Sequence, residues 1–171
     1  SLKTKAGGNF SVYSPFKKKW FSELEDSDLE LIAEPKDVKE SSIDNTNLEK
    51  FLNEFSNPSD DLWPPGEDFI KKNVEEFLKN KGTGYKEERN FPALNSTSKL
   101  SPYLNSGVVS AKWCLIKAKE FNNGKLDDGD KGIVHWVSEI LWREFYRHII
   151  FNFPKVSKGL PFIDYTKNIP W

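Results

Sequence analysis

One stretch limits the fold more than any other. From Ile133 to Phe153 the chain has neither proline nor glycine, and its apolar residues recur at helical spacing until Pro154 stops them. At about 100° per residue, Val134, Val137, Ile140, Leu141 and Phe145 share one broad apolar side of this helix. The opposite side carries His135, Trp136, Glu139, Trp142, Arg143, Tyr146 and Arg147. A face turned to water is rich in Lys and Glu and poor in Trp. This face combines an i,i+4 Glu139–Arg143 pair with two Trp and a Tyr. Either it is buried with its charges paired, or it is the wall of a ligand site with aromatic platforms and a few polar anchors.

The remaining text is also helical. Ser14-Pro15 before Phe16, Trp20 and Phe21 predicts a short helix with Ser14 as its cap. Glu67 and Asp68 open a helix over 67–80, with Phe69, Ile70, Val74, Phe77 and Leu78 on one stripe and Gly82 beyond its end. Thr83 to Leu94 reads as irregular. Ser101-Pro102 marks another helix entrance and Gly107 its end. Ser110 caps a further helix with an inward stripe of Cys114, Leu115, Ala118 and Phe121, closed by Asn122-Asn123-Gly124. The loop Lys125–Gly132 is polar and reads as mobile. No strand-like alternation and no repeat occurs, so the ordered part is all-α.

Charge divides the chain. Of 25 basic and 26 acidic residues, 15 acidic and 3 basic ones lie between Glu23 and Asp68. That stretch is also Ser/Asn-rich and punctuated by Pro35, Pro58, Pro64 and Pro65, the text of a connector with a helical turn near Leu48–Phe55. The other residues carry the balancing excess of Lys and Arg, which is either an ordinary solvated surface or a face for an anionic partner. Only Arg89, Arg143 and Arg147 offer a rigid fork.

Inventory excludes several chemistries. One cysteine in 171 residues cannot form an internal disulfide, and Cys114 falls on an apolar stripe, as a packed thiol does. Two histidines with that cysteine make no zinc site. No run of apolar residues is long enough to span a bilayer, and neither a dinucleotide fingerprint nor a Walker loop occurs. His148 reads as a packing residue. The missing initiator Met suggests a piece of a longer protein. Thr97-Ser98-Lys99-Leu100-Ser101 stands out, with three hydroxyls just ahead of a Pro-started helix. Such a run either caps the helix or offers O–H and N–H donors to an anion.

Four blocks now form a recognisable series. Ser138-Glu139-Ile140-Leu141-Trp142-Arg143-Glu144-Phe145-Tyr146-Arg147-His148 closely resembles the flavin-domain signature of the photolyase/cryptochrome family. So do Thr97 to Leu104 with Gly107 and Ser110, Gly84-Tyr85 through Arg89-Asn90-Phe91-Pro92, and Gly159-Leu160-Pro161-Phe162 ending in Trp171. The likeness covers residues 67–171. Phe10 to Phe16 with Trp20 resembles the segment leaving the family's antenna domain. The resemblance thus divides the chain into that exit segment (1–22), an acidic connector (23–66) and the N-terminal half of the helical FAD-binding domain (67–171).

The resemblance implies FAD as cofactor, held by Tyr85, by Thr97, Ser98, Lys99, Leu100 and Ser101 at the pyrophosphate, and by Trp136 and Arg143. It implies DNA over the pocket, with Arg89, Glu139, Trp142 and Tyr146 as contacts and Glu139 and Trp142 acting on the lesion. The family's cyclobutane-dimer enzymes are carbon–carbon lyases. Reduced FAD, excited directly or through a folate or deazaflavin antenna pigment, passes an electron to a flipped pyrimidine dimer. The nearest likeness is to the class I enzymes. The alternatives are a cryptochrome, which signals without repairing, or a helical nucleic-acid-binding module without flavin. Keeping both Glu139 and Trp142 favours the cyclobutane-dimer enzyme, because the family's photoreceptors commonly change one or the other. The same reading implies a monomer acting on damaged DNA, without a membrane, inside the cell: nuclear or mitochondrial in a eukaryote, cytoplasmic in a bacterium. The antenna domain and the C-terminal half of the flavin domain lie outside this sequence, so the activity belongs to a longer protein.

Overall fold

The computed structural model describes residues 2–33, 50 and 63–169. Among them the structure is helical without strands. Its helices are α1 (Tyr13–Glu23), α2 (Glu67–Asn80), α3 (Tyr85–Glu88), α4 (Ser101–Ser106), α5 (Ala111–Phe121) and α6 (Lys131–Asn152). Short 3-10 turns span Asp26–Leu29, Pro154–Lys158 and Asp164–Asn168. Most of the acidic connector, with the turn expected near Leu48–Phe55, lies outside the described residues, as does Trp171.

Local chemistry sets the helix ends. The Asp130 carboxylate accepts from the Gly132 and Ile133 N–H groups at 2.9 and 3.0 Å, so α6 starts before its apolar period does. Ser110 Oγ accepts from Trp113 N–H at 3.0 Å and caps α5. Gly107 closes α4 at φ +79°, a conformation that suits glycine. Ser14 does not cap α1. The helix begins at Tyr13 after an extended Val12, which leaves Ser14 and Pro15 in the first turn, where proline's missing N–H breaks no helical bond. The stretch after Thr83 is less irregular than predicted, since Tyr85–Glu88 makes one helical turn.

The main core lies between α2, α5 and the first half of α6. Ile70, Val74, Phe77 and Leu78 meet Trp113, Cys114, Leu115 and Ala118, with Ile133, Trp136, Val137 and Ile140 beneath them. Three positions depart from the predicted stripes. Phe69 and Phe121 stay exposed, whereas Trp136, expected opposite the apolar side of α6, is buried. The long helix packs on two sides, so its buried arc is wider than one stripe. Cys114 is fully enclosed, and burial pushes its thiol up to about 12. A second cluster of Phe10, Phe16 and Phe145 fastens α1 to the later turns of α6. His148 packs there, 5.2 Å from the Phe16 ring.

The loop read as mobile is anchored instead. Asn122, buried at the end of α5, donates to the carbonyls of Lys125 and Asp128 at 2.9 and 2.7 Å. Its Oδ1 accepts from Asp130 N–H at 2.8 Å, and Leu126 is tucked into the core. The start of α6 then passes against the turn after α2. A Cβ on Gly132 would lie 2.1 Å from the Gly82 carbonyl and 2.4 Å from that of Thr83. Two changes are expected to lower the urea midpoint. Asn122→Ala strands buried polar groups at a cost of about 1–3 kcal/mol, and Gly132→Ala forces the crossing apart at a cost of roughly 1–3 kcal/mol. A Gly132→Ala chain as stable as the parent would refute that close crossing.

Candidate functional site

The face of α6 that carries Trp136, Glu139, Ile140, Arg143 and Tyr146, bordering its core, forms the floor of a groove of about 1050 Å³, whose other walls are Tyr85 of α3 and the run from Thr97 into α4. Every residue the resemblance assigned to the cofactor lines it: Tyr85, Thr97, Ser98, Lys99, Leu100, Ser101, Trp136 and Arg143. Of the residues assigned to DNA, Glu139 and Tyr146 line it too, and Arg89 and Trp142 do not.

The 97–101 run is held from two sides. Ser98 Oγ accepts from the buried Trp136 indole N–H at 3.1 Å, and the Ser98 carbonyl accepts from Asn73 Nδ2 at 3.2 Å. Ser96 Oγ bonds the Glu88 carboxylate. Beside the fixed Ser98, Lys99 adopts φ +49°, uncommon for a side chain other than glycine, and Leu100 returns to φ −80°. Successive residues of opposite hand turn their N–H groups to one side, a concavity suited to an anion. The groove is otherwise walled by Trp136, Ile140, Leu104 and Ile150. It offers apolar sides with a polar end. Among the described residues no three metal-binding side chains converge.

Charge is arranged differently from the i,i+4 expectation. Glu139 does not pair with Arg143. Its Oε1 accepts from the Arg89 guanidinium, which arrives from the end of α3, and lies 3.5 Å from His135 Nε2. Arg143 instead donates to the Leu104 carbonyl at 3.2 Å and to Glu144 at 3.0 Å. The Glu139 carboxylate beside Arg89 holds the guanidinium's pKa above its usual range. Burial chiefly pulls His135 below the ordinary histidine range, with the Arg89 charge adding to it, and burial raises the Tyr85 hydroxyl. Neither Glu87 nor Glu88 is the partner of Arg89, since Glu87 faces Lys86 at 3.7 Å and Glu88 holds Ser96.

Trp142 leaves the groove for α1. The Tyr13 ring stacks on it with centroids 3.6 Å apart and planes within 10°, and the Tyr146 ring lies 5.7 Å away on a 27° tilt. The Tyr13 hydroxyl is tied to the Ser138 carbonyl at 2.8 Å and to Ser138 Oγ at 2.7 Å. Sequence reasoning gave Tyr13 no role at the site. The two residues are 129 positions apart and no local signal connects them. His135 lies one turn before Glu139 on the same side of α6, as the helical projection predicts, but only the fold brings Arg89 to it. A double-mutant cycle of Tyr13→Leu and Trp142→Leu, read by urea unfolding, is expected to show coupling of about 0.5–1.5 kcal/mol. Additive losses would mean that the stack contributes nothing.

No family model matches the chain, but whole-length relatives do. It is 34% identical over its entire length to a deoxyribodipyrimidine photo-lyase of Neurospora crassa, of which it covers 30%. With the enzyme of that name from Vibrio cholerae it shares 32% identity over its whole length and 36% of that protein. With the one from Escherichia coli the values are 33% identity, 95% of this chain and 34% of that protein. The chain therefore spans about a third of the length of these relatives. Its fold matches the crystal structure of a bacterial class III photolyase from Agrobacterium tumefaciens with a TM-score of 0.74 and 29% identity, covering 99% of this chain and 36% of that one. In sequence and in fold, along almost all of its residues, this chain is thus similar to roughly one third of a whole photolyase.

Proposed function

We propose that the protein carrying this chain binds FAD in the α6 groove and uses light to split cyclobutane pyrimidine dimers in DNA. The observation that carries this reading is the convergence of the hydroxyl run 97–101 with Glu139, Arg143 and Tyr146 around one cavity. Its size is at the upper end of small-ligand sites, which are about 300–1,000 Å³. Polar donors at one end and aromatic walls along the sides suit a phosphate-bearing cofactor with a flat ring.

FAD, when bound, supplies the light-driven electron transfer. The chain's own residues hold, orient and exclude water. N–H and O–H groups of Thr97 to Ser101 take the pyrophosphate, Trp136 and Tyr85 wall the cofactor, and Arg143 supports it from α6. The lesion must leave the duplex to reach this depth. Unstacking costs a few kcal/mol and least for a damaged pair, which favours dimers over normal bases. Trp142 is held in place by Tyr13 and presents its remaining face, beside Tyr146, to the extruded bases. Glu139 meets the pyrimidine edge, and Arg89 meets a neighbouring phosphate.

Three variants of the protein carrying this chain test the division of labour. Glu139→Ala is expected to keep its flavin and to lose a hydrogen bond to the lesion, at a cost of about 1–3 kcal/mol. Trp142→Ala is expected to weaken dimer binding by roughly 1–3 kcal/mol. Arg143→Ala is expected to lower flavin content. Flavin absorbance, affinity for dimer-containing DNA and repair quantum yield separate these effects. Flavin lost from Glu139→Ala and kept by Arg143→Ala would reverse the assignment. A flavin-bearing protein that leaves dimers intact under illumination would favour a photoreceptor.

A further inference from the structure

His135 lies between Arg89 and Glu139 in an arrangement that only one protonation state permits. Arg89 Nη1 is 2.9 Å from His135 Nε2. A guanidinium has donors and no acceptor, so Nε2 must supply a lone pair. The imidazole bonded in this way is neutral and carries its hydrogen on Nδ1. The same Arg89 nitrogen also donates to Glu139 Oε1, and this oxygen lies 3.5 Å from His135 Nε2. One guanidinium nitrogen is thus held between an imidazole and a carboxylate.

We infer that His135 is a positioning residue for Arg89: neutral, it keeps the guanidinium parked on Glu139, and protonated, it releases that guanidinium toward DNA. The inference rests on the reading of Arg89 as a phosphate contact. A proton on Nε2 turns the acceptor into a donor, sets two cations against each other and leaves the imidazolium within reach of the oxygen that Arg89 occupied. Glu139 then keeps a cationic partner, and Arg89 is free to move.

The surroundings determine when this happens. From α3 and the residue after it, Tyr85, Lys86 and Arg89 face the imidazole. Lys17 faces it from α1 and Glu139 from its own helix. The three cations and partial burial oppose protonation, and Glu139 alone favours it, so the exchange falls on the acid side of the ordinary histidine range. The side chains of His135 and Glu139 are 36% and 35% exposed, and that of Arg89 is 28% exposed. Protons and solvent therefore reach the cluster, and separating such a pair is inexpensive. Phosphates arriving at the groove shift the balance the same way, so DNA binding and proton uptake reinforce each other.

The test is the salt dependence of binding to a dimer-containing duplex at about pH 8 and about pH 5.5, with the protein carrying this chain. The slope of log K against log salt is expected to steepen by about one unit on acidification, the equivalent of one added phosphate contact. His135→Gln keeps an acceptor for Arg89 but cannot titrate, so its slope is expected to stay shallow at both pH values. Arg89→Ala is expected to be shallow at both as well. Circular dichroism checks that both variants are folded, and the unmodified protein's comparison needs no variant. An unchanged slope in the unmodified protein would overturn the inference. So would a pH-dependent slope that survives in His135→Gln, where His148 is the remaining histidine, or in Arg89→Ala, where the added charge would be that of His135 itself. If Arg89→Ala matches the unmodified protein at both pH values, the phosphate reading of Arg89 fails. If it is shallower by the same amount at both, that reading stands and only the His135 switch fails.

Discussion

The approach of α6 to the turn after α2 is the contact on which the placement of the groove residues depends. Gly132 sits where a single added carbon would collide with two backbone carbonyls, so the helix starts in contact with the Gly82–Thr83 peptide groups. That contact fixes α3, which begins two residues later, alongside the first turns of α6. Tyr85 and Arg89 then have no course except along the row that His135 and Glu139 occupy. The Asp130 cap and the Asn122 bonds hold the chain entering α6 at this crossing. A buried amide and a capping carboxylate thus position charged groups that they never touch.

The helices were legible in the sequence because each carries its own local signals. The periodicity of 67–80, the Ser110 cap, the Gly107 stop and Pro154 after α6 act within a turn or two of the residues they govern. Ser14 misled because Ser before Pro is a capping pattern only when the backbone there is extended, and here the extended residue is Val12. The hydroxyl run and the Trp-bearing face of α6 announced a site by being wrong for plain surface. Their partners were not legible. Whether Glu139 meets Arg143, four residues away on its own helix, or Arg89, fifty residues away, depends on where α3 lands. Arg143 had an alternative in the Leu104 carbonyl and Glu144, and Arg89 did not have one in Glu87 or Glu88.

Trp142 illustrates the same limit with aromatic groups. Helical geometry places Glu139 and Trp142 three residues apart on one side, which suggests a shared ligand. Their surroundings separate them. Glu139 turns into the groove and Trp142 turns under Tyr13, with Tyr146 exposed between them and touching both regions. The stack with Tyr13 covers one face of the indole, and the Tyr13 hydroxyl is locked to Ser138 on the same helix. An aromatic platform serves a ligand only if it does not rotate away. A ring backed by another ring that is itself hydrogen-bonded keeps one orientation, and little ordering remains for a ligand to impose.

The electrostatics of the groove depend on which charges could be left half-exposed. A fully buried Arg–Glu pair loses so much hydration that exchange of partners is costly, and a fully exposed one has no defined geometry. Arg89, His135 and Glu139 lie between these limits, with about a third of each side chain open to solvent. The imidazole accepts from the guanidinium, so the carboxylate is not its only anchor, and a change at either partner alters the hold on Arg89. A lysine at position 89 would bring the charge without the planar fork, and could not meet an imidazole and a carboxylate together in the same fixed geometry. Arginine fits here because its planar fork can be held by two weak partners at once.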